Sequence, residues 1–267
     1  MKKLILLVIF TLICSPIFAA STDTCFDTDC KLMLPFNGSD GATSTTDSSS
    51  SAHTINFVNN AQLSTTSPKF GTAALFLDGT DDGVNAADSA DWSNGASDAT
   101  IDFWVKYGSL TSTNNIQVFY QQCNNTSNFV HFYHKAGADD SIQFTAASGG
   151  STVFNMESSA GSFVPSAGTW YHIAKKRSGS SWTFYVDGSA ISGGTFTDSD
   201  SWPDIAASLS LGKSDRTNCS SVIDDLNGRL DEFRWVKGTA VTPPSGGPAA
   251  EYTACTTARR RISSTVF

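Results

Sequence analysis

Thr100-Ile101-Asp102-Phe103-Trp104-Val105-Lys106-Tyr107 is the stretch that decides the fold. Ile101, Phe103, Val105 and Tyr107 alternate with Asp102, Trp104 and Lys106. A period of two is a strand with one face toward a core, and it excludes a helix. The expectation is a half-buried strand.

The runs on either side have the same character, being short, apolar and bounded by turn residues. Strands are expected near Leu32–Phe36, Thr54–Val58, Ala73–Leu77, Ile116–Tyr120, Phe129–His134 and Ser141–Ala146. Further strands are expected near Val153–Ser158, Trp170–Lys176, Trp182–Val186, Ser208–Gly212 and Gly228–Val236. Phe184-Tyr185-Val186 runs into Asp187-Gly188, a hairpin signal. Of 25 acidic residues only Glu157, Glu232 and Glu251 are glutamate, and a skew toward Asp favours turns over helices. The fold class expected is all-β, a jelly-roll β-sandwich of two antiparallel sheets.

Composition excludes some functions. Net charge is −8, with 17 basic against 25 acidic side chains, so there is no broad basic face for nucleic acid. Met1–Ala20 reads as a signal peptide, with Lys2 and Lys3 before a ten-residue apolar run, Leu4–Ile13, too short to span a bilayer. No later segment is apolar enough to span one. The protein is therefore expected to be secreted and extracellular, with one domain over 21–252. Val241–Pro248 is rich in Pro and Gly and cannot be a central strand. Residues 253–267, carrying Arg259-Arg260-Arg261, read as a flexible C-terminal tail.

Export permits disulfides. Five cysteines remain after the leader, and two bridges with one thiol left over can be drawn in many ways. The pairing expected is Cys25–Cys30, closing a short loop, and Cys123–Cys219, between two Asn/Ser/Thr-rich loops; all five free is the alternative. The cysteine spacing does not suit zinc. His131 and His134, three apart on a strand, face opposite ways and cannot share a metal.

Five blocks resemble the laminin-G-like domains of the concanavalin A-like lectin/glucanase family. They are Lys69-Phe70-Gly71 through Asp78-Gly79, Thr100–Lys106, Gly168-Thr169-Trp170-Tyr171-His172-Ile173-Ala174, Trp182–Gly188 and Gly228-Arg229-Leu230-Asp231-Glu232-Phe233-Arg234. They occur in order across most of the mature chain. The resemblance implies a two-sheet jelly roll and raises the expectation of a glycan ligand, although fold alone does not assign function.

The related glycanases carry paired glutamates on one strand, and the three glutamates here are isolated, so no catalytic residue is assigned. His172 is expected to pack. The resemblance also implies a structural Ca2+ held by Asp231 of the closing block with Asn37 and Asp78; the alternative is that Asp231 bonds the backbone or an arginine. Trp92 and Trp202 lie in polar loops and are the expected sugar platforms, with capping of the sandwich end as the other reading. The function expected is a non-catalytic carbohydrate-binding module for a glycan or polysaccharide. The alternatives are a structural or adhesive protein with a cell-surface protein partner, and a divergent glycoside hydrolase.

Overall fold

The computed structural model describes residues 29–110, 116–137, 139–215, 217–219 and 223–252. The expected signal peptide, Cys25 and the expected 253–267 tail lie outside them.

Fifteen strands and one 3-10 turn, Ala90–Trp92, are present among these residues. In chain order they are β1 Cys30–Leu34, β2 Ile55–Val58, β3 Gln62–Ser64, β4 Ala74–Asp78, β5 Gly83–Ala86, β6 Ala99–Tyr107, β7 Ile116–Asn125 and β8 Asn128–Lys135. The rest are β9 Ser141–Ser148, β10 Ser151–Glu157, β11 Trp170–Ser178, β12 Ser181–Val186, β13 Ser189–Thr197, β14 Leu209–Leu211 and β15 Asn227–Lys237. Every ladder between them is antiparallel. An eight-stranded sheet has the order β13-β12-β11-β6-β15-β4-β3, with β1 also on β15; a seven-stranded sheet has the order β10-β9-β8-β7-β14-β5-β2. This is the expected jelly-roll sandwich.

The inner faces supply one aromatic core. Phe103 stacks on Phe233 at 5.5 Å and meets Phe119 at 5.1 Å, which ties the two sheets together. β3, β5 and β13 were not expected. Gln62–Ser64 is too short to show a period, and Ser189–Thr197 is mostly polar and exposed.

The half-buried reading of β6 is corrected. Eight of its nine residues are buried, because residues 239–252 cross the outer face of the eight-stranded sheet. Beneath that crossing Arg234 grips Asp102 with two bonds of 2.9 Å, and the Tyr252 hydroxyl donates to the same carboxylate. Burial alone would raise the Asp102 pKa; Arg234 outweighs it and holds the carboxyl well below the usual range. His172 is buried with Nε2 3.3 Å from Asp102, a packing role as expected. Gly228 is needed by close approach, since a Cβ there would stand 2.2 Å from the Lys106 carbonyl oxygen.

Candidate functional site

On the outer face of the seven-stranded sheet, residues are placed by strand alternation. On β8 the core takes Val130 and Phe132, and the period of two turns Phe129, His131 and Tyr133 outward. His134 packs inward against Tyr107 and Phe163.

Register then assembles one line of polar side chains. Asn155 pairs with Thr145, Thr145 with His131, and His131 with Gln121. Gln121 pairs with Ser210, Ser210 with Asn85, and Asn85 with Asn56. The row crosses all seven strands. With strands about 4.8 Å apart it is about 29 Å long. Its ends, Asn56 and Asn155, are exposed, while Gln121 and His131 at the centre are 4% and 3% exposed.

The centre is bordered by Lys213–Asp215, Thr217–Cys219 and Ile223, and the Cys123–Cys219 disulfide fastens this border to β7. Two cavities result. One of about 540 Å³ is lined by Asn85, Gln121, Ser208, Ser210, Asp215 and Asn218, and is mainly polar. The other, of about 370 Å³, has Ile116, Tyr133 and Ile223 as apolar walls beside His131, Thr145 and Asn155.

Several of these groups are pre-positioned. The Tyr133 hydroxyl donates to Gln143 Oε1 at 2.7 Å, and Gln143 Nε2 donates to Asn155 Oδ1 at 2.8 Å. His131 stacks on Phe129 with centroids 4.5 Å apart and planes 15° from parallel. Burial lowers its pKa to about 4, against a small opposing pull from Asp215, so the ring is neutral at neutral pH. Lys213 is bound to Asp81 at 3.1 Å, and Lys135 to Asp139 and Glu157 at 2.7 and 2.8 Å.

The residues expected from sequence lie elsewhere. Trp92 and Trp202 are 0% and 1% exposed, so their assignment as sugar platforms is corrected. They join a chain of indoles, Trp92–Trp235–Trp202–Trp182, with centroid spacings of 5.8, 5.4 and 5.8 Å. The polar loops carrying them fold inward over the end of the sandwich; Trp92 Nε1 donates to the Ala87 carbonyl.

The calcium set does not converge. Asp231 follows Leu230, which pairs with Leu75, while Asp78 pairs with Asn227. That separates the two aspartates by four residues of strand, about 13 Å. Asp231 Oδ2 accepts from the Lys69 and Phe70 amides and Oδ1 from the Glu232 amide, so N–H groups face the carboxylate where a cation would stand. Asn37 Oδ1 likewise accepts from the Thr72 amide at 2.6 Å. Among the described residues no group of three or more His, Cys, Asp or Glu could hold a metal. The residues present do not fit the ion that the resemblance implies.

Of the two disulfides, Cys123–Cys219 is present. Cys30 is a free thiol, buried beside Met33 and Tyr252, which corrects its pairing with Cys25. Burial pushes its pKa up to about 12, and Sγ donates weakly to the Leu32 carbonyl.

The row itself was missed. Its only sequence signal was the polar residue at alternate positions of strands already recognised, such as His131 between Val130 and Phe132.

A family model described as the concanavalin A-like lectin/glucanases superfamily matches residues 78–244. No curated protein sequence matches. Among solved structures, domain 4 of an extracellular GH43 arabinanase from Geobacillus stearothermophilus, in complex with arabinotriose, superposes with TM-score 0.58 at 17% identity. That match covers 80% of this chain and 95% of that one. The binding domains of paraclostridial mosquitocidal protein 1 and of botulinum neurotoxin serotype D give 0.57 and 0.56 at 14% and 12% identity, over 80% of this chain. The match covers 49% of each toxin chain. At these identities the structures establish the shared fold and nothing finer. The sequence match over residues 78–244 and the two-sheet sandwich agree, and the chain belongs to the concanavalin A-like lectin/glucanase superfamily.

Proposed function

We propose that the chain is an exported, non-catalytic carbohydrate-binding module that takes a glycan or polysaccharide across the outer face of the seven-stranded sheet. The observation that carries this is the in-register row from Asn155 to Asn56. Amide side chains both donate and accept, which suits the hydroxyl groups of a sugar. Side chains mounted on paired strands are held in place before the ligand arrives, so little ordering cost falls on binding. The arabinanase domain solved with arabinotriose shares this fold. The Cys123–Cys219 bridge suits an oxidising, extracellular setting.

The carboxylates at this face are already engaged. Glu157 accepts from Lys135 and Ser141, Asp81 is bound by Lys213, and Asp215 accepts from Thr217 and Asn218 within its own turn. A glycosidase needs one carboxyl held protonated beside another that is ionised. The Asp215 pKa is lowered instead: the Asn218 and Thr217 bonds outweigh the opposing effect of burial. Three acids have pKa values raised by burial: Asp231 and Glu232 belong to the other sheet, and Asp82, just before β5, is fully buried and accepts from the Asn60 and Asp78 amides, so none faces the cavities.

A glycan array read beside a hydrolysis assay on β-glucans tests the proposal. Binding that weakens in Asn85→Ala and Gln121→Ala is the expected result. Turnover abolished by replacing one acidic residue would overturn the non-catalytic reading.

A further inference from the structure

The two cavities differ in chemistry, and that difference specifies a ligand more narrowly. The larger is lined mainly by amides and hydroxyls around Gln121, with the charged groups of Asp81, Lys213 and Asp215 at its border. The smaller pairs an apolar wall with a buried imidazole. Val118, Tyr133 and Ile223 form a separate hydrophobic cluster on this outer face, with Ile116 packed against it. Such a wall has no use for a hydroxyl.

Opposite the wall stands His131. It lines the cavity, is 3% exposed, and its Nε2 has no hydrogen-bond partner. A buried polar atom without a partner is unfavourable, so a ligand that satisfies it gains affinity. The ring is neutral, so one nitrogen donates and the other accepts. Thr145 and Asn155 are the next two members of the row and line the same cavity. A group that fits has a small apolar end, one strong acceptor and one donor within a few ångströms. An acetamido substituent has these.

We propose that the cavity lined by His131, Thr145, Ile116 and Ile223 is a subsite for the acetamido group of a neutral 2-acetamido sugar. This rests on the glycan-binding reading of the same face. The methyl packs on Ile116, Tyr133 and Ile223. The carbonyl accepts from the His131 ring, and the amide N–H donates to Thr145 or Asn155. Neutral sugars are favoured over anionic ones because Lys135 and Lys213, the lysines bordering this face among the described residues, are each bound to carboxylates.

The test uses the mature secreted protein and an array of matched neutral oligosaccharides that differ only in acetamido against hydroxyl at C2, with sialylated members included. The best pair is then titrated by calorimetry. The acetamido member is expected to bind about tenfold tighter or better, from one buried methyl and one satisfied hydrogen bond. Thr145→Val and His131→Phe should each erase that preference, so that the two members bind each variant equally. Thr145 is half-buried, so its variant remains informative if His131→Phe fails to fold. Equal binding of both members overturns the subsite and leaves the glycan-binding function standing. A preference that survives in both variants, or tighter binding of sialylated members, overturns it as well. No binding to any member overturns the function and the subsite together.

Discussion

Cys123 and Cys219 are joined beside Gln121, so a bond between residues 96 apart in sequence also divides the polar face of the seven-stranded sheet. Cys123 walls the larger cavity and Cys219 the smaller. One covalent link therefore serves both the stability of the domain and the shape of the site.

Removing that link should do two things. The loop it closes is long enough that chain entropy predicts a loss on the order of 4 kcal/mol in a Cys123→Ser/Cys219→Ser variant. Glycan affinity should also fall at temperatures where the variant is still folded, because Thr217–Cys219, which border both cavities, lose their anchor. Guanidinium unfolding and calorimetry with and without reductant measure both. Unchanged affinity in a folded, reduced protein would show that the bridge has no part in the site.

Tryptophan and row substitutions should separate stability from binding. Trp92→Ala and Trp202→Ala each remove a fully buried indole, costing about 3–5 kcal/mol. Asn85→Ala and Asn155→Ala change half-exposed or exposed positions, with stability moving by less than about 0.5 kcal/mol and binding weakening by about 1 kcal/mol. Melting curves paired with titrations decide it, and the reverse pattern would return the site to the loops.

Lys175 lies in the core, with Nζ 3.1 Å from the Phe144 ring centre and 3.9 Å from that of Trp202, donating to the Tyr120 hydroxyl. Burial among rings holds its pKa well below 10.5. The unfolded chain binds the proton at higher pH than the folded one, so stability rises with pH up to about 10.4. Replacing the pair as Lys175→Met/Tyr120→Phe should flatten that rise and stabilise the domain by about 1–4 kcal/mol at neutral pH. Chemical denaturation at pH 7 and pH 10 tests it; a less stable double variant would refute it.

Glu232 gives the opposite slope. Its φ of 50° marks the bulge on β15, its Oε2 accepts the Tyr252 amide, and burial, then Asp231 and Glu251, push its pKa up to about 8. The folded state then holds a proton that the unfolded chain releases near pH 4.5. Stability should fall as pH rises from about 4.5 to 8, by at most about 1.4 kcal/mol per unit. Glu232→Gln keeps the acceptor for Tyr252 and should remove its share of this decline, leaving that of Asp231, whose pKa burial pushes up to about 7. If wild type and variant lose stability in parallel over that range, Glu232 is not its source.

Calcium is put to a titration. Adding millimolar calcium to chelated protein is expected to leave the melting temperature unchanged, since three amides already satisfy the Asp231 carboxylate. Saturation at a hundred times Kd would instead stabilise by about 2.7 kcal/mol. A rise that Asp231→Asn abolishes would show that these amides yield to the ion.

Alternation in Thr100–Tyr107 and its neighbours was enough to specify the class of fold and most strands, because a period of two is a local property of the chain. The resemblance carried by Gly228–Arg234 held for the same reason: each block is one strand with its turn. The half-buried reading of β6 failed, since the chain segment covering Asp102 and Trp104 arrives more than 130 residues later.

The site belongs to the tertiary structure. Sequence made Trp92 and Trp202 look exposed because their neighbours are polar, but the course of each loop over the end of the sandwich put both indoles in the core. Asn56, Asn85, Gln121, His131, Thr145, Asn155 and Ser210 are unremarkable along the chain. They become one row only through strand register, which is set by pairings between distant segments. What the sequence determined by itself was the alternation of side chains on the strands it revealed. Which outward side chains stand next to one another was decided only when the strands paired, because hydrogen bonding between strands is non-local.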